Sequence, residues 1–182
     1  MAVIHNTTLQ PTKLELLARW LPEQPWYHGA GSVTKAGGFR LDDPAGEVGI
    51  EFMVVLAEDG QAYLVPMTYR AEPLADAADG LIGTAEHGVL GRRWIYHGEC
   101  DPVLRAQLAA LLAGEVSAQA QSQSHALDPT IQIRTVAGSA AVRLSRLLTE
   151  DEPPEAPVGY VSAPWRRLDG STARGIVATA SR

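Results

Sequence analysis

Residues 46–70, G-E-V-G-I-E-F-M-V-V-L-A-E-D-G-Q-A-Y-L-V-P-M-T-Y-R, decide the fold. Val48 to Leu56 is β-branched and apolar, short for a buried helix and well suited to a strand. Asp59-Gly60 supplies the positive φ of a tight hairpin turn. Gln61 to Tyr69 then returns, placing Ala62, Leu64, Pro66 and Thr68 on one face and Tyr63, Val65, Met67 and Tyr69 on the other. Pro66 has no N–H for a ladder, so the return strand should lie at an edge or bulge there. The scaffold is a long antiparallel hairpin.

Upstream, Asp42-Asp43-Pro44-Ala45-Gly46 is turn chemistry, and Phe39 to Leu41 reads as a short strand after a loop rich in Gly, Ser and Ala. Thr12 and Glu15 form a T-x-x-E capping box, in which each side chain satisfies a backbone N–H of the other residue. Leu14, Leu17 and Leu21, with Leu16 and Trp20, make one apolar helix face, and Pro22 stops the helix. That helix should cross the concave or open face of the sheet. Ala2-Val3-Ile4 suffices for one further strand.

Downstream, Ala71 to Gly80 is an acidic, alanine-rich connection. Leu81 to Glu86 and Arg92 to Tyr96 read as strands joined across Gly88-Val89-Leu90-Gly91. Asp101-Pro102 opens a second helix with an N-cap aspartate and a proline at its first position. Leu104, Leu108, Leu111 and Leu112 recur at helical spacing, and Gly114 stands where a left-handed cap residue belongs. Glu115 to Pro129 is polar and low in complexity, a mobile linker. Beyond it, Ile131 to Arg134, Ala141 to Leu148, Val158 to Trp165 and Ile176 to Thr179 read as four strands. The expected plan is an α+β domain over 1–114, a linker over 115–129 and a small antiparallel β unit over 130–182. The residues alone leave open whether the second unit packs on the first.

At 182 residues, 46% hydrophobic and 20% charged, the chain is long enough to bury a core and ordinary for a soluble protein. A net charge of −6 with scattered basic residues argues against nucleic acid. The pairs Arg92-Arg93 and Arg166-Arg167 read as solvated strand ends. Cys100 stands alone, which excludes an internal disulfide and suits a reducing interior. No signal-like segment and no 18-residue apolar run is present, so the expected location is cytoplasmic, away from membranes.

Three stretches carry a resemblance. Trp26-Tyr27-His28-Gly29 is similar to the W-F-A-G that comes after the first helix in maltokinases. Tyr63-Leu64-Val65-Pro66-Met67 is similar to their Y-x-x-P-L. Trp94-Ile95-Tyr96 through Leu112 is similar to their strand, aspartate-proline helix start and leucine-rich helix. In this order, over about residues 10–114, the chain resembles the N-terminal cap of actinobacterial maltokinases and related aminosugar kinases. The resemblance implies a cystatin-like curved antiparallel sheet packed by helices, and a link to maltose, trehalose or glycogen metabolism. Val142 to Leu148, with Glu152-Pro153-Pro154-Glu155 after it, is similar to the kinase strand L-K-L-x-R-x-L that carries a phosphate-pairing lysine. Arg143 holds the lysine position here, and a planar guanidinium is no conservative replacement. Phosphoryl transfer also needs a positioning aspartate, metal-binding Asn and Asp groups and an acceptor lobe. The residues after 129 are too few for such a lobe, so the chain reads as a free-standing cap without kinase activity.

No other chemistry stands out. His97-Gly98-Glu99-Cys100-Asp101 is superficially similar to the H-G-D of sugar and antibiotic kinases, but its position makes it a strand end, a turn and a helix N-cap. His5, His28, His87, His97 and His125 lack metal-helix spacing, and no metal or cofactor is expected. Asp42, Asp43, Glu47 and Glu51 read as a solvated hairpin edge rather than paired acid–base groups. Serines lack the G-x-S-x-G elbow, and the Gly29–Gly38 glycines lack a phosphate-loop context. The aromatic set Trp20, Trp26, Tyr27, Trp94 and Tyr96 is the most suggestive, since aromatic faces beside cations suit a sugar ring. The candidate ligand residues are Trp26, Tyr27, His28, Arg92, Arg93, Trp94 and Tyr96. The expected function is a non-catalytic accessory protein that binds a kinase or glucan-metabolising enzyme, or itself as a homodimer. The alternative is a saccharide-binding module; an enzyme acting on α-glucans is the weakest reading.

Overall fold

The computed structural model describes residues 9–121, 126–136 and 141–181. The expected strand at Ala2-Val3-Ile4, together with His5 and His125, lies outside them. The elements in chain order are β1 (Leu9–Gln10), α1 (Lys13–Trp20), β2 (Val33–Leu41), β3 (Gly49–Ala57), β4 (Ala62–Arg70), β5 (Leu81–His87), β6 (Gly91–His97) and α2 (Pro102–Ala113). After these come β7 (Gln132–Arg134), β8 (Ala141–Leu144), β9 (Leu147–Leu148), β10 (Gly159–Arg166) and β11 (Thr172–Ser181). The eleven strands form one sheet, and every pairing in it is antiparallel. With two α-helices packed on that sheet, the architecture is α+β and mostly β.

The hairpin is the scaffold. β3 pairs with β4 along its whole length, from Gly49 opposite Tyr69 to Leu56 opposite Ala62, and Gly60 turns the chain with φ +84°. Outward from it the order is β1-β5-β6-β4-β3-β2-β10-β11-β8, with β7 on β10 and β9 on β4. β8 and β9 belong to one stretch, residues 141–148, which pairs with β11 at its start and with β4 at its end. The pairing therefore closes a circuit through β4, β3, β2, β10, β11 and the 141–148 stretch. Closure removes two edges and gives the curled sheet an inside.

The two faces of β4 separate two cores, as its alternation requires. Ala62 and Leu64 point inward with Phe39, Phe52, Val161, Trp165 and Val177, and Leu104, Leu108, Leu111 and Leu112 of α2 complete that inner core. Tyr63, Val65 and Met67 point outward with Met53 and Val55, beneath Leu17 and Trp20 of α1 and Leu21 just after it. Both helices start as read. Thr12 and Glu15 form the reciprocal capping box, and Asp101 accepts from the Val103 N–H while Gly114 closes α2 at φ +80°.

Several expectations change. The strand expected at Phe39 to Leu41 runs from Val33, through a bulge between Lys35 and Gly37. Glycines hid it: Gly37 is there because β10 comes close, and Gly38 because its φ is +131° with the Phe52 carbonyl against it. A Cβ on Gly37 would lie 2.7 Å from the Pro164 carbonyl oxygen, where Trp165 faces Gly37. The single strand expected over Ala141 to Leu148 is two, broken where the chain changes partner. β4 lies inside the sheet, but on its side away from β3 no strand pairs with Pro66, so the proline sits at a local gap in the ladder rather than on an outer edge strand. In the 115–129 stretch, Gln119 exchanges both backbone hydrogen bonds with Arg40 at 2.9 Å, and Ala118 is buried in the inner core. Residues after 129 share the sheet and the inner core with those before 115, so the second part does pack on the first.

Candidate functional site

Pro66 explains where the outer face opens. On the side of β4 away from β3, β6 pairs with residues 67–70 and β9 with residues 62–63. The missing N–H of Pro66 falls between these two ladders, a place that asks no donor of it. Leu64 finds its own acceptor in the Arg146 carbonyl, at 2.8 Å. The Arg146 side chain fills the same break. Its guanidinium donates to His97 Nε2 and pairs with the Glu99 carboxylate.

Aromatic rings surround this pin. Trp20, at the end of α1, stacks on His97 with centroids 5.3 Å apart and planes 25° apart. Trp26 lies under Arg146, whose guanidinium carbon is 5.2 Å from its ring centre. Trp20 and Tyr27 meet Trp26 edge-on, and Tyr27 lies 4.7 Å from Tyr63. Gly98 follows His97 where space is tight: a Cβ there would lie 2.3 Å from Leu104 Cδ1 and 3.2 Å from the Pro66 carbonyl carbon. Burial, and then the Arg146 charge, push His97 down to about 3. The ring is therefore neutral, and its Nε2 accepts while its proton sits on Nδ1. A histidine held this way is an acceptor for a guanidinium and not a proton donor at neutral pH.

The structure brings Trp26 and Tyr27 into this cluster. Tyr27 is buried, and its hydroxyl has no hydrogen-bond partner among the described residues. His28 is exposed beside it, its backbone N–H donating to the Tyr63 hydroxyl at 3.3 Å. Trp26 is half-buried and the most open of the rings. The other four candidates stand apart, on β6. Arg92 is exposed and pairs with Glu86 at 2.9 Å across the β5–β6 hairpin. Arg93 bonds back to the Arg92 carbonyl, and Trp94 faces Thr84 and Arg70. Tyr96 is buried and accepts from the Leu74 N–H at 2.9 Å. Tyr63, His97 and Arg146 complete the cluster and were absent from the candidates. Pro66 was the one signal that could have marked the break they fill.

The carboxylate group divides. Glu47 is exposed, but Asp43 and Glu51 are buried, so the solvated-edge reading fails for both. Asp43 holds the turn before β3 by accepting from the N–H groups of Ala45, Glu47 and Val48. Glu51 accepts from Lys13 Nζ at 2.7 Å, the Tyr69 hydroxyl at 2.5 Å and Gln121 Nε2 at 3.0 Å. Burial alone would raise its pKa, but Lys13 and Tyr69 bring it below the ordinary carboxylate value. Burial and the Glu51 charge raise the Tyr69 phenol well above its usual range. Cys100 is exposed, with its thiol pushed up by partial burial and then by Glu99, the reverse of an activated nucleophile. Arg143, at the kinase-lysine position, is exposed on β8 opposite Thr179. Among the described residues no three His, Cys, Asp or Glu side chains are placed to hold a metal, and no helix is long and apolar enough to cross a membrane.

The sequence profile of the maltokinase N-terminal cap domain matches residues 20–101. No curated protein matches the chain. Residues 20–101 are thus similar to a maltokinase N-terminal cap domain. The matched stretch begins at Trp20 and ends at the N-cap Asp101, and it contains every ring of the aromatic cluster. Arg146, which pins that cluster, comes from outside it.

Proposed function

We propose that this chain serves α-glucan metabolism as a non-catalytic interaction module, with the cap-like domain docking on a kinase or glucan-processing enzyme of maltose, trehalose or glycogen turnover. The match over residues 20–101 carries this reading. The geometry supports it. His97 is a neutral acceptor, Cys100 is not activated, and the buried carboxylate Glu51 is already engaged by three donors. In this reading α1 laid across β2–β6 is the cystatin-like arrangement of the cap, and the protein works in the cytoplasm beside its partner. The test is light scattering after size exclusion, with and without a purified maltokinase catalytic lobe. A stoichiometric complex is expected, weakened by Trp26→Ala. A chain that elutes alone at every ratio tried would sink the proposal, and one at twice its mass would redirect it to a homodimer.

One observation favours a second reading, a saccharide-binding module: Trp26 keeps part of its ring open beside Arg146 and His28. Titration calorimetry with maltose, trehalose, glucosamine and soluble α-glucan separates the two. Heat from one sugar that Trp26→Ala abolishes would put this reading first; no heat from any of them removes it.

A further inference from the structure

Away from the aromatic cluster, the outward face of β2 and β3 concentrates positive charge around a single carboxylate. Arg40 stands directly across the ladder from Glu51, and Lys13 reaches the same carboxylate from α1. The Lys13 ammonium also lies 5.2 Å from the centre of the Tyr69 ring, which closes one side of the patch. Lys35 comes two residues after Val33 on the outward side of β2, just before the bulge, and Val33 packs in the outer core. Between Lys35 and Arg40 comes Gly38, which has no side chain, and the Gln121 amide lies above it. Among the described residues, Lys13 has an ion-pair partner, and Lys35 and Arg40 have none within 4 Å.

Three cations share one carboxylate, which leaves two positive charges uncompensated on a chain whose net charge is −6. The charges also act on one another. Partial desolvation against β2 and β3 lowers the Lys35 pKa although the residue reaches solvent, Glu51 opposes that, and the Lys13 ammonium adds to it. Like charges held together cost free energy that a bound anion would recover. The geometry points to an anion site formed by Lys13, Lys35 and Arg40 that takes a phosphate monoester, as a sugar phosphate would present. A monoester dianion matches the local excess of charge, whereas a carboxylate would leave one positive charge over. Arg40 supplies the planar fork suited to two phosphate oxygens, and the lysines supply point charges. Glu51 orders Lys13 through their 2.7 Å ion pair. The overall negative charge of the chain makes non-specific anion binding weak, so occupancy would report the local arrangement.

Titration calorimetry of the full chain with inorganic phosphate, glucose 1-phosphate and glucose, at constant ionic strength in chloride, tests this. Both phosphate compounds should bind and glucose should not. Lys35→Gln and Arg40→Gln should each weaken phosphate binding about tenfold. Arg166→Gln removes the same charge at the exposed end of β10 and should leave binding unchanged. No heat with either phosphate compound overturns the site, as does an equal loss in all three variants, or wild-type binding in Lys35→Gln and Arg40→Gln. Should Arg40→Gln fail to fold, Lys35→Gln decides alone, because Lys35 is exposed.

Discussion

Arg70 and Asp101 show how one residue can serve two structures at once. Asp101 is fully buried, caps α2, and takes both nitrogens of the Arg70 fork at 2.7 Å. Burial pushes its pKa up, but the Arg70 and Val103 hydrogen bonds bring it below the ordinary aspartate value. Asp101→Ala should cost about 3–5 kcal/mol in denaturant unfolding, since it strands Arg70 and uncaps the helix together. His97 contributes with the same sign of pH dependence for a different reason. Its folded pKa of about 3 lies below the ordinary histidine value, so between about pH 3 and 6.5 the unfolded chain binds the proton and the folded one does not. Stability therefore falls as pH is lowered through that window, by up to about 1.4 kcal/mol per pH unit from this group. His97→Gln keeps an acceptor for Arg146 without the titration. Melting curves at several pH values should show a flatter slope for the variant than for wild type, and parallel slopes would contradict the assignment.

At the scale of elements, the sequence was most legible where a local rule and a tertiary demand coincide. The capping box before α1, the N-cap and left-handed glycine of α2, and the alternation of β4 could all be read directly. In each case the signal and its cause lie within a few residues of each other. β2 was largely missed because Gly37 answers to a strand more than a hundred residues away, and glycine by itself speaks for a loop. The aromatic site was half legible for the same reason. Trp26 and Tyr27 announce themselves, whereas Arg146 joins them only because the 141–148 stretch changes partner at that residue. Gly37→Ala tests the close approach. A Cβ 2.7 Å from the Pro164 carbonyl must push β10 from β2, so the variant should lose about 1–3 kcal/mol in urea unfolding. Gly170→Ala serves as a comparison with no atom within 4 Å, although its φ of +83° carries a backbone penalty of its own. If Gly37→Ala loses no more stability than Gly170→Ala, the two strands are not in contact as described.

Taken as a whole molecule, the cap-like stretch is completed by the residues C-terminal to it. The matched residues 20–101 supply Phe39, Phe52 and Leu64 to the inner core, but α2, β10 and β11 supply Leu104, Leu108, Val161, Trp165 and Val177. Cutting the chain at Gly114 would strip the partners from β2 on one side and from the start of β4 on the other, leaving apolar inner faces in water and unpaired ladder edges. Residues 1–114 alone should therefore give no cooperative melt by circular dichroism or calorimetry, or should aggregate. The full chain should melt in one transition seen alike in far- and near-ultraviolet signals. A fragment with the full chain's melting temperature would make the C-terminal strands an appendage, and would return the boundary to the polar stretch at 115–129. Without such a result, the closed circuit of strands is the folding unit. The docking surface we propose would then have to lie on what that circuit leaves open, with Trp26 beside Arg146 and the basic patch around Glu51 as the places to test first.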